Sequence, residues 1–418
     1  MSAEAVGKFL IVSEPSPARR PLPVRAIAPL YLAGFTTAFG AHGLAAALGT
    51  QTDDVGLTLL TFGAVLALYD LAEVILKPVF GALSDRIGIK PVVVGGLLAF
   101  AVVSLLGAVF TAPAVLALVR LGQGAAASAF SPASSSAVAR VAGPAAAGRS
   151  FGRYGAWKSL GYAIGPLLGA GLLVLGGLQA LFVALAALAA VATVWAAVAV
   201  PNLPVLPRPR TTVRDLAREL ADPSFLVPTA VLAASTGALG VAVGFLPLVG
   251  TTLGLGTAAS MGVVTLLALA STAVQPVVGR LRDEGRIDTR RGAPAGLVAV
   301  TVGILLVAVA PHPVTLYAAA LLVGLGIGVA TPLAFAHLAA STPPERMGRT
   351  MGTAELGREI GDAGGPLLVG AVAVAASLPV ALGVLAAVTA GTAAVSTAAL
   401  RPAPAADPTV EGATHPQT

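Results

Sequence analysis

The chain has 418 residues, of which 56% are hydrophobic and only 11% charged, and it contains no cysteine. A soluble domain carries roughly 25% charged residues, so a soluble enzyme is excluded as the main body, and disulfide or thiol chemistry goes with it. The formal net charge of +6 is scattered over many short polar segments, which argues against a nucleic-acid partner and for contact with anionic lipid head groups.

Residues 1–23 are polar and Pro-rich and read as a cytoplasmic tail without packed structure. Their one apolar run, Phe9 to Val12, is too short for a signal peptide, so the first span is expected to serve as the uncleaved targeting signal. Twelve apolar spans follow, at 26–48, 57–80, 91–111, 113–138, 151–175, 178–200, 224–250, 258–279, 292–310, 313–338, 350–375 and 377–399. Each is close to the length of about 20 residues that crosses a bilayer. The connections after spans 1, 3, 5, 7, 9 and 11 hold no Lys or Arg, and the first of them holds Asp53 and Asp54. The remaining connections and the tails hold Arg19, Arg20, Arg25, Arg86, Lys90, Arg140, Arg149, Arg208, Arg210, Arg214, Arg218, Arg280, Arg282, Arg286, Arg290, Arg291, Arg346, Arg349 and Arg401. By the positive-inside rule, this predicts a multi-pass protein of the cell (inner) membrane with both termini in the cytoplasm.

The longest connection, 201–223, opens with Pro201, Pro204, Pro207 and Pro209. Val213, Leu216, Ala217 and Leu220 then fall on one helical face, with Arg214, Asp215, Arg218 and Glu219 on the other. This reads as a short amphipathic helix on the cytoplasmic membrane surface; the alternative is an ordinary solvated linker helix. On either side of it the chain repeats itself. Pro78-Val79-Phe80-Gly81-Ala82-Leu83-Ser84-Asp85 returns as Pro276-Val277-Val278-Gly279-Arg280-Leu281-Arg282-Asp283, and Gly148 to Leu168 returns as Gly348 to Leu368. The predicted fold class is therefore an all-α membrane protein, with twelve transmembrane helices in two pseudo-symmetric six-helix bundles. The expected bundles are 24–200 and 224–400, joined by the linker 201–223 and followed by a cytoplasmic tail, 401–418. Parallel repeats of this kind are a transporter architecture, with the substrate site between the halves.

Three motifs carry a resemblance to a known family. They are Gly81-Ala82-Leu83-Ser84-Asp85-Arg86-Ile87-Gly88-Ile89-Lys90, Arg120-Leu121-Gly122-Gln123-Gly124, and Gly161 with Gly165-Pro166 and Gly169, with Gly152 upstream. Together with the duplication they make the chain resemble a twelve-helix member of the major facilitator superfamily, similar to its proton-coupled drug and metabolite antiporters. The first motif departs from the family at Ile89 and the third at Ala170, and span 1 lacks the acidic residue common in drug exporters. The resemblance implies that Asp85 meets the start of helix 11 and that this contact breaks on opening to the inside. It also implies that helices 2 and 11 face each other, and that the helix-5 motif favours export. Glycines at four-residue spacing give a flat packing face, and Pro166 permits a bend.

Charges in hydrocarbon cost at least about 2.5–3.5 kcal/mol each, so each one is a functional candidate. Span 2 holds Asp70, Glu73 and Lys77; span 4 holds Arg120; span 5 holds Lys158; span 11 holds Glu355, Arg358, Glu359 and Asp362. With a rise of about 1.5 Å per residue, depth pairs Lys77 with Glu355 and Glu73 with Arg358. Asp70, Glu359 and Asp362 are left with fewer bases, and a carboxylate so placed can take up and release a proton; these are the proton-coupling candidates. Arg120, Gln123, Lys158 and His42 are cavity and coupling candidates, His42 either as a hydrogen-bonded cavity residue or as a proton relay. The alternative for the charges is a set of static pairs. No catalytic, metal-ligating or cofactor-binding constellation is expected. The expected function is a monomeric secondary transporter that exports a small organic compound in exchange for protons. The alternatives are an uptake symporter and a non-transporting membrane receptor.

Overall fold

The computed structural model describes residues 26–44, 59–110, 112–207, 218 and 221–400, and among them every regular element is helical. Helix α1 is Ala28–Ala38 and continues into a wider π turn, Phe39–Gly43. Helices α2, Leu59–Ile87, and α3, Ile89–Val109, follow. The run Pro113–Ala199 leaves helical geometry only at Gly143, Gly176 and Gly177. It therefore holds three helices: α4 (113–142), α5 (144–175) and α6 (178–199). The second half comprises α7 Pro223–Thr252, α8 Thr257–Asp283, α9 Thr289–Val309, α10 Pro313–Ser341, α11 Met347–Ala375 and α12 Leu378–Ala399. The described residues thus form twelve helices. Seven helical runs, with Pro113–Ala199 taken as one, are long and apolar enough to cross a membrane on length and composition.

Local sequence explains the ends. Pro113, Pro223 and Pro313 open their helices, where the missing N–H costs nothing. Asp222 caps α7 by accepting from the Ser224 N–H at 2.8 Å. Gly88 and Gly143 sit at φ of 100° and 66°, in a region other residues adopt only with strain, and each alone turns the chain between two helices. Polarity places loops at 81–90 and 139–150, but the structure continues α2 to Ile87 and α4 to 142. A charged side chain at a helix end reaches the interface without breaking the helix, so charge marks the membrane boundary rather than the helix boundary. Within the linker, 201–207 is non-helical. The amphipathic segment around 211–220 lies outside the described residues except for Arg218, as do the tails and Asp53 and Asp54.

Packing is lopsided along the helix axis. One hydrophobic cluster fills the first half and continues into the second through Leu297, Leu333, Phe335 and Met351. A separate cluster, including Val241, Leu246, Ile304 and Leu385, fills the opposite end of the second half. The two halves are thus fused at the end that carries Asp85 and Asp283. The repeated glycines do two jobs. Gly161, Gly165 and Gly169 of α5 lie against Phe39 and Gly43 of α1, or their neighbours, and Gly361 and Gly365 of α11 lie against Ala233 and Gly237 of α7. Gly152 instead meets Gln275 across the halves, and Gly352 meets Lys77 and Gly81. The outward faces are apolar: Val174 and Val374 are 88% and 91% exposed, as expected of side chains that face lipid.

Candidate functional site

At the fused end each half clamps the other. The Asp85 carboxylate accepts from the backbone N–H groups of Gly348 at 2.7 Å and Arg349 at 2.9 Å. Asp283 accepts from Gly148 at 2.8 Å and Arg149 at 2.7 Å. Asp85 sits at the first turn of α11 in the other half, where unpaired N–H groups and the helix dipole favour an anion, and Asp283 meets α5 just past its first turn. The resemblance implies the first contact, and the duplication supplies the second. Arg282 reinforces the latter by donating to the Pro144 carbonyl at 3.0 Å. Gly88 makes the α2–α3 turn itself, with Arg86 in the last turn of α2 and Lys90 in the first turn of α3.

Further from that end lies a buried charge network. Lys77 Nζ sits 3.1 Å from Glu73 Oε2, one turn earlier on α2, and 2.5 Å from Glu359 Oε1 on α11. Glu355 Oε2 is shared by Lys158 at 3.0 Å and Arg358 at 3.3 Å, with Lys77 at 4.0 Å. The depth pairing of Lys77 with Glu355 is therefore only a peripheral contact. The pairing of Glu73 with Arg358 is not made: Glu73 turns to Lys77, and Arg358 to Glu355 and towards the Phe335 ring at 5.9 Å. Glu359, expected to have fewer basic partners, holds Lys77. Counting depth along two helices ignores their rotation, and rotation selects the partner.

Above the network is a cavity of about 180 Å³. It is lined from the first half by His42, Asp70, Glu73, Arg120, Lys158 and Tyr162, and from α11 by Glu359 and Asp362. Among the described residues, neither Asp70 nor Asp362 is in an ion pair or a side-chain hydrogen bond. Arg120 donates to the Gly40 carbonyl at 3.1 Å and Gln123 Oε1 at 3.4 Å, with its guanidinium 4.2 Å from the centroid of the Tyr69 ring. Gln123 donates onward to Ser104 at 2.9 Å. His42 packs edge-on against Tyr162 at 4.5 Å.

Sequence reasoning missed the π turn Phe39–Gly43, whose Gly40 carbonyl accepts from Arg120, and no residue pattern announces it; such turns often mark functional positions. It also missed Tyr69, Tyr162 and the neutral cluster on the other interface. There Gln275 Nε2 donates to Ser159 at 2.7 Å and Ser271 at 3.0 Å. The repeat register, which aligns Gln275 with Lys77 and Ser159 with Glu359, could have found that cluster.

Comparison with known proteins agrees with this architecture. Residues 30–286 and 261–417 match the family model of the Major Facilitator Superfamily. Over 105 residues the chain is 40% identical to a multidrug resistance protein B homolog of Mycobacterium tuberculosis, covering 25% of this chain and 19% of that protein. It is 34% identical over 125 residues to a chloramphenicol resistance protein of Pseudomonas aeruginosa, covering 30% and 28% of the two chains. It is 31% identical over 116 residues to the quinolone resistance protein NorA of Staphylococcus aureus, covering 28% and 30%. The matched stretches thus span less than a third of each relative's length. The solved human organic anion transporter MFSD10 superposes with a TM-score of 0.72 at 18% identity, over 89% of this chain and 99% of that one. The Escherichia coli fucose:proton symporter FucP gives 0.76 at 15% identity, over 90% and 99%. At these identities the likeness is one of fold.

Proposed function

The chain belongs to the Major Facilitator Superfamily and is a multi-pass membrane transporter rather than an enzyme; on that premise we propose that it exports a small organic compound in exchange for protons. The observation that carries the reading is the central cavity, where Asp70 and Asp362 stand beside the Lys77 network without a base of their own. A group that binds a proton in one state and releases it in another is what an exchanger needs at its substrate site. Three resistance proteins among the relatives support the outward direction.

In this reading the Asp85 and Asp283 clamps close the cytoplasmic end, and the structure represents a state shut towards the cytoplasm. Substrate and protons compete for the cavity carboxylates. Loss of charge on Glu359 or Glu73 loosens Lys77, the clamps release, and the halves rock apart at the cytoplasmic end. The reading keeps the predicted orientation, with both termini in the cytoplasm of a monomer in the inner membrane, the two bundles 24–200 and 224–400, and no resident cofactor or nucleic-acid partner.

The test uses everted membrane vesicles with an acid lumen, loaded externally with a quinolone or chloramphenicol. Accumulation that collapses with the pH gradient supports export by exchange. Accumulation only under the opposite gradient identifies an uptake symporter and overturns the direction.

A further inference from the structure

The connection from α8 to α9 stands over a second cavity, of about 1070 Å³, on the outer side of the second half. Its rim carries Arg286, Arg290 and Arg291 with one carboxylate, Asp288, and its floor is Pro294, Val298 and Val329. Arg286 faces Glu284 at 3.9 Å, an exposed pair of little worth. Neither Arg290 nor Arg291 is in an ion pair among the described residues. From the floor an apolar stripe runs along α9 through Val298, Val302, Leu305 and Val309, which are 51%, 47%, 40% and 81% exposed. The eleven rises from Val298 to Val309 span about 16 Å, roughly one leaflet of a hydrocarbon core about 30 Å thick.

The corresponding turn of the first half is built differently. Gly88 alone joins α2 to α3, and the cavity there, about 360 Å³, is lined by Phe80, Leu83, Ile87, Pro91 and other uncharged residues. The first half does carry Arg86 and Lys90 at its turn, but neither lines that cavity; the longer connection of the second half is what sets three arginines around its cavity.

We propose that this cavity binds the head group of an anionic phospholipid, with an acyl chain laid along α9. Guanidinium groups match phosphate oxygens two at a time, and basic pockets between helices on the cytoplasmic side suit such head groups. The apolar floor and stripe favour a lipid over free phosphate, which would leave them unused. The inference is independent of which compound crosses the membrane.

Native mass spectrometry of the purified full chain, titrated with phosphatidylglycerol or phosphatidylcholine, tests it. Phosphatidylglycerol should bind at least about tenfold more tightly, given about 1 kcal/mol per basic residue near the surface. Arg290→Ala/Arg291→Ala should erase that preference. Arg290→Lys/Arg291→Lys, which keeps the charge but not the paired fork, should retain a clear part of it, which separates lost charge from lost fold. Arg86→Ala/Arg280→Ala, with the same charge removed elsewhere, should leave it within about twofold. Equal binding of both lipids, or equal losses in the two alanine double variants, overturns the proposal. So does glycerol 3-phosphate displacing phosphatidylglycerol at comparable concentration, which would mark a site for soluble phosphate esters.

Discussion

Lys77 of α2 and Gln275 of α8 occupy the same position in the two halves, each just before the proline of its repeat, and each reaches across to the other half. Lys77 holds Glu73 on its own helix and Glu359 opposite; Gln275 holds Ser271 on its own helix and Ser159 opposite. The geometry is duplicated, but the charge is not. A neutral cluster holds its bonds regardless of protonation, whereas a lysine between two carboxylates is sensitive to either gaining a proton. If the proposed exchange holds, the α2–α11 interface is the side on which proton binding would act on the closed state.

Lys77→Gln should leave Glu73 and Glu359 buried without their base, costing about 3–5 kcal/mol and at least tenfold in transport. The triple variant Lys77→Gln/Glu73→Ser/Glu359→Ser copies the neutral cluster. It should regain thermal stability in detergent while its transport ceases to respond to an imposed pH gradient. A single variant as stable as the triple one would sink this account.

Glu355 is the counter-ion shared by Lys158 and Arg358, and its Oε1 has no hydrogen-bond partner. Glu355→Gln should therefore leave two buried cations facing each other and lower the unfolding temperature by several degrees. Adding Lys158→Met should restore part of the loss, because removing both members of a buried pair costs less than removing one. Purely additive losses in the double variant would show that the contact carries no coupling.

Closure of the clamped end depends on close backbone approach. A Cβ on Gly81 would stand 3.0 Å from the Gly352 Cα, whereas one on Gly171 meets nothing within 4 Å. The chain has no cysteine, so a single Thr350→Cys reporter, placed at a buried position on α11, reads this directly. With Gly81→Ala its labelling by a membrane-permeant maleimide should rise severalfold, and with Gly171→Ala it should stay at the reference rate. Equal rates would mean that the α2–α11 contact does not set the closed state.

Much of this was legible before any coordinates. The apolar runs between the Lys and Arg clusters marked the twelve helices, and the repeat at Gly148 and Gly348 pointed to two halves, because burial and charge act locally along the chain. The Asp85 contact was legible only through resemblance, since its partners lie 263 and 264 positions away. The charge partners were not legible, because they depend on helix rotation, which many small packing contacts set together. The π turn at Phe39–Gly43 left no trace in residue type at all.

The cavity carboxylates separate coupling from structure. Asp70 and Asp362 line the cavity from opposite halves, while Glu359 lines it and also holds Lys77. If protons drive transport through an unpaired group, Asp70→Asn or Asp362→Asn should abolish accumulation against a gradient. Downhill exchange should remain measurable, because the closing contacts are untouched. Glu359→Gln removes both functions and should depress downhill exchange as well. Asp70 ranks first, since α2 leads directly from it through Lys77 to the Asp85 clamp, so a charge change there acts on the helix that must move. Reconstituted vesicles with an imposed pH gradient distinguish these outcomes when counterflow and net accumulation are measured on the same preparation. If all three variants still concentrate substrate with an unchanged pH dependence, the carboxylates are structural and the exchange of protons takes place elsewhere or not at all.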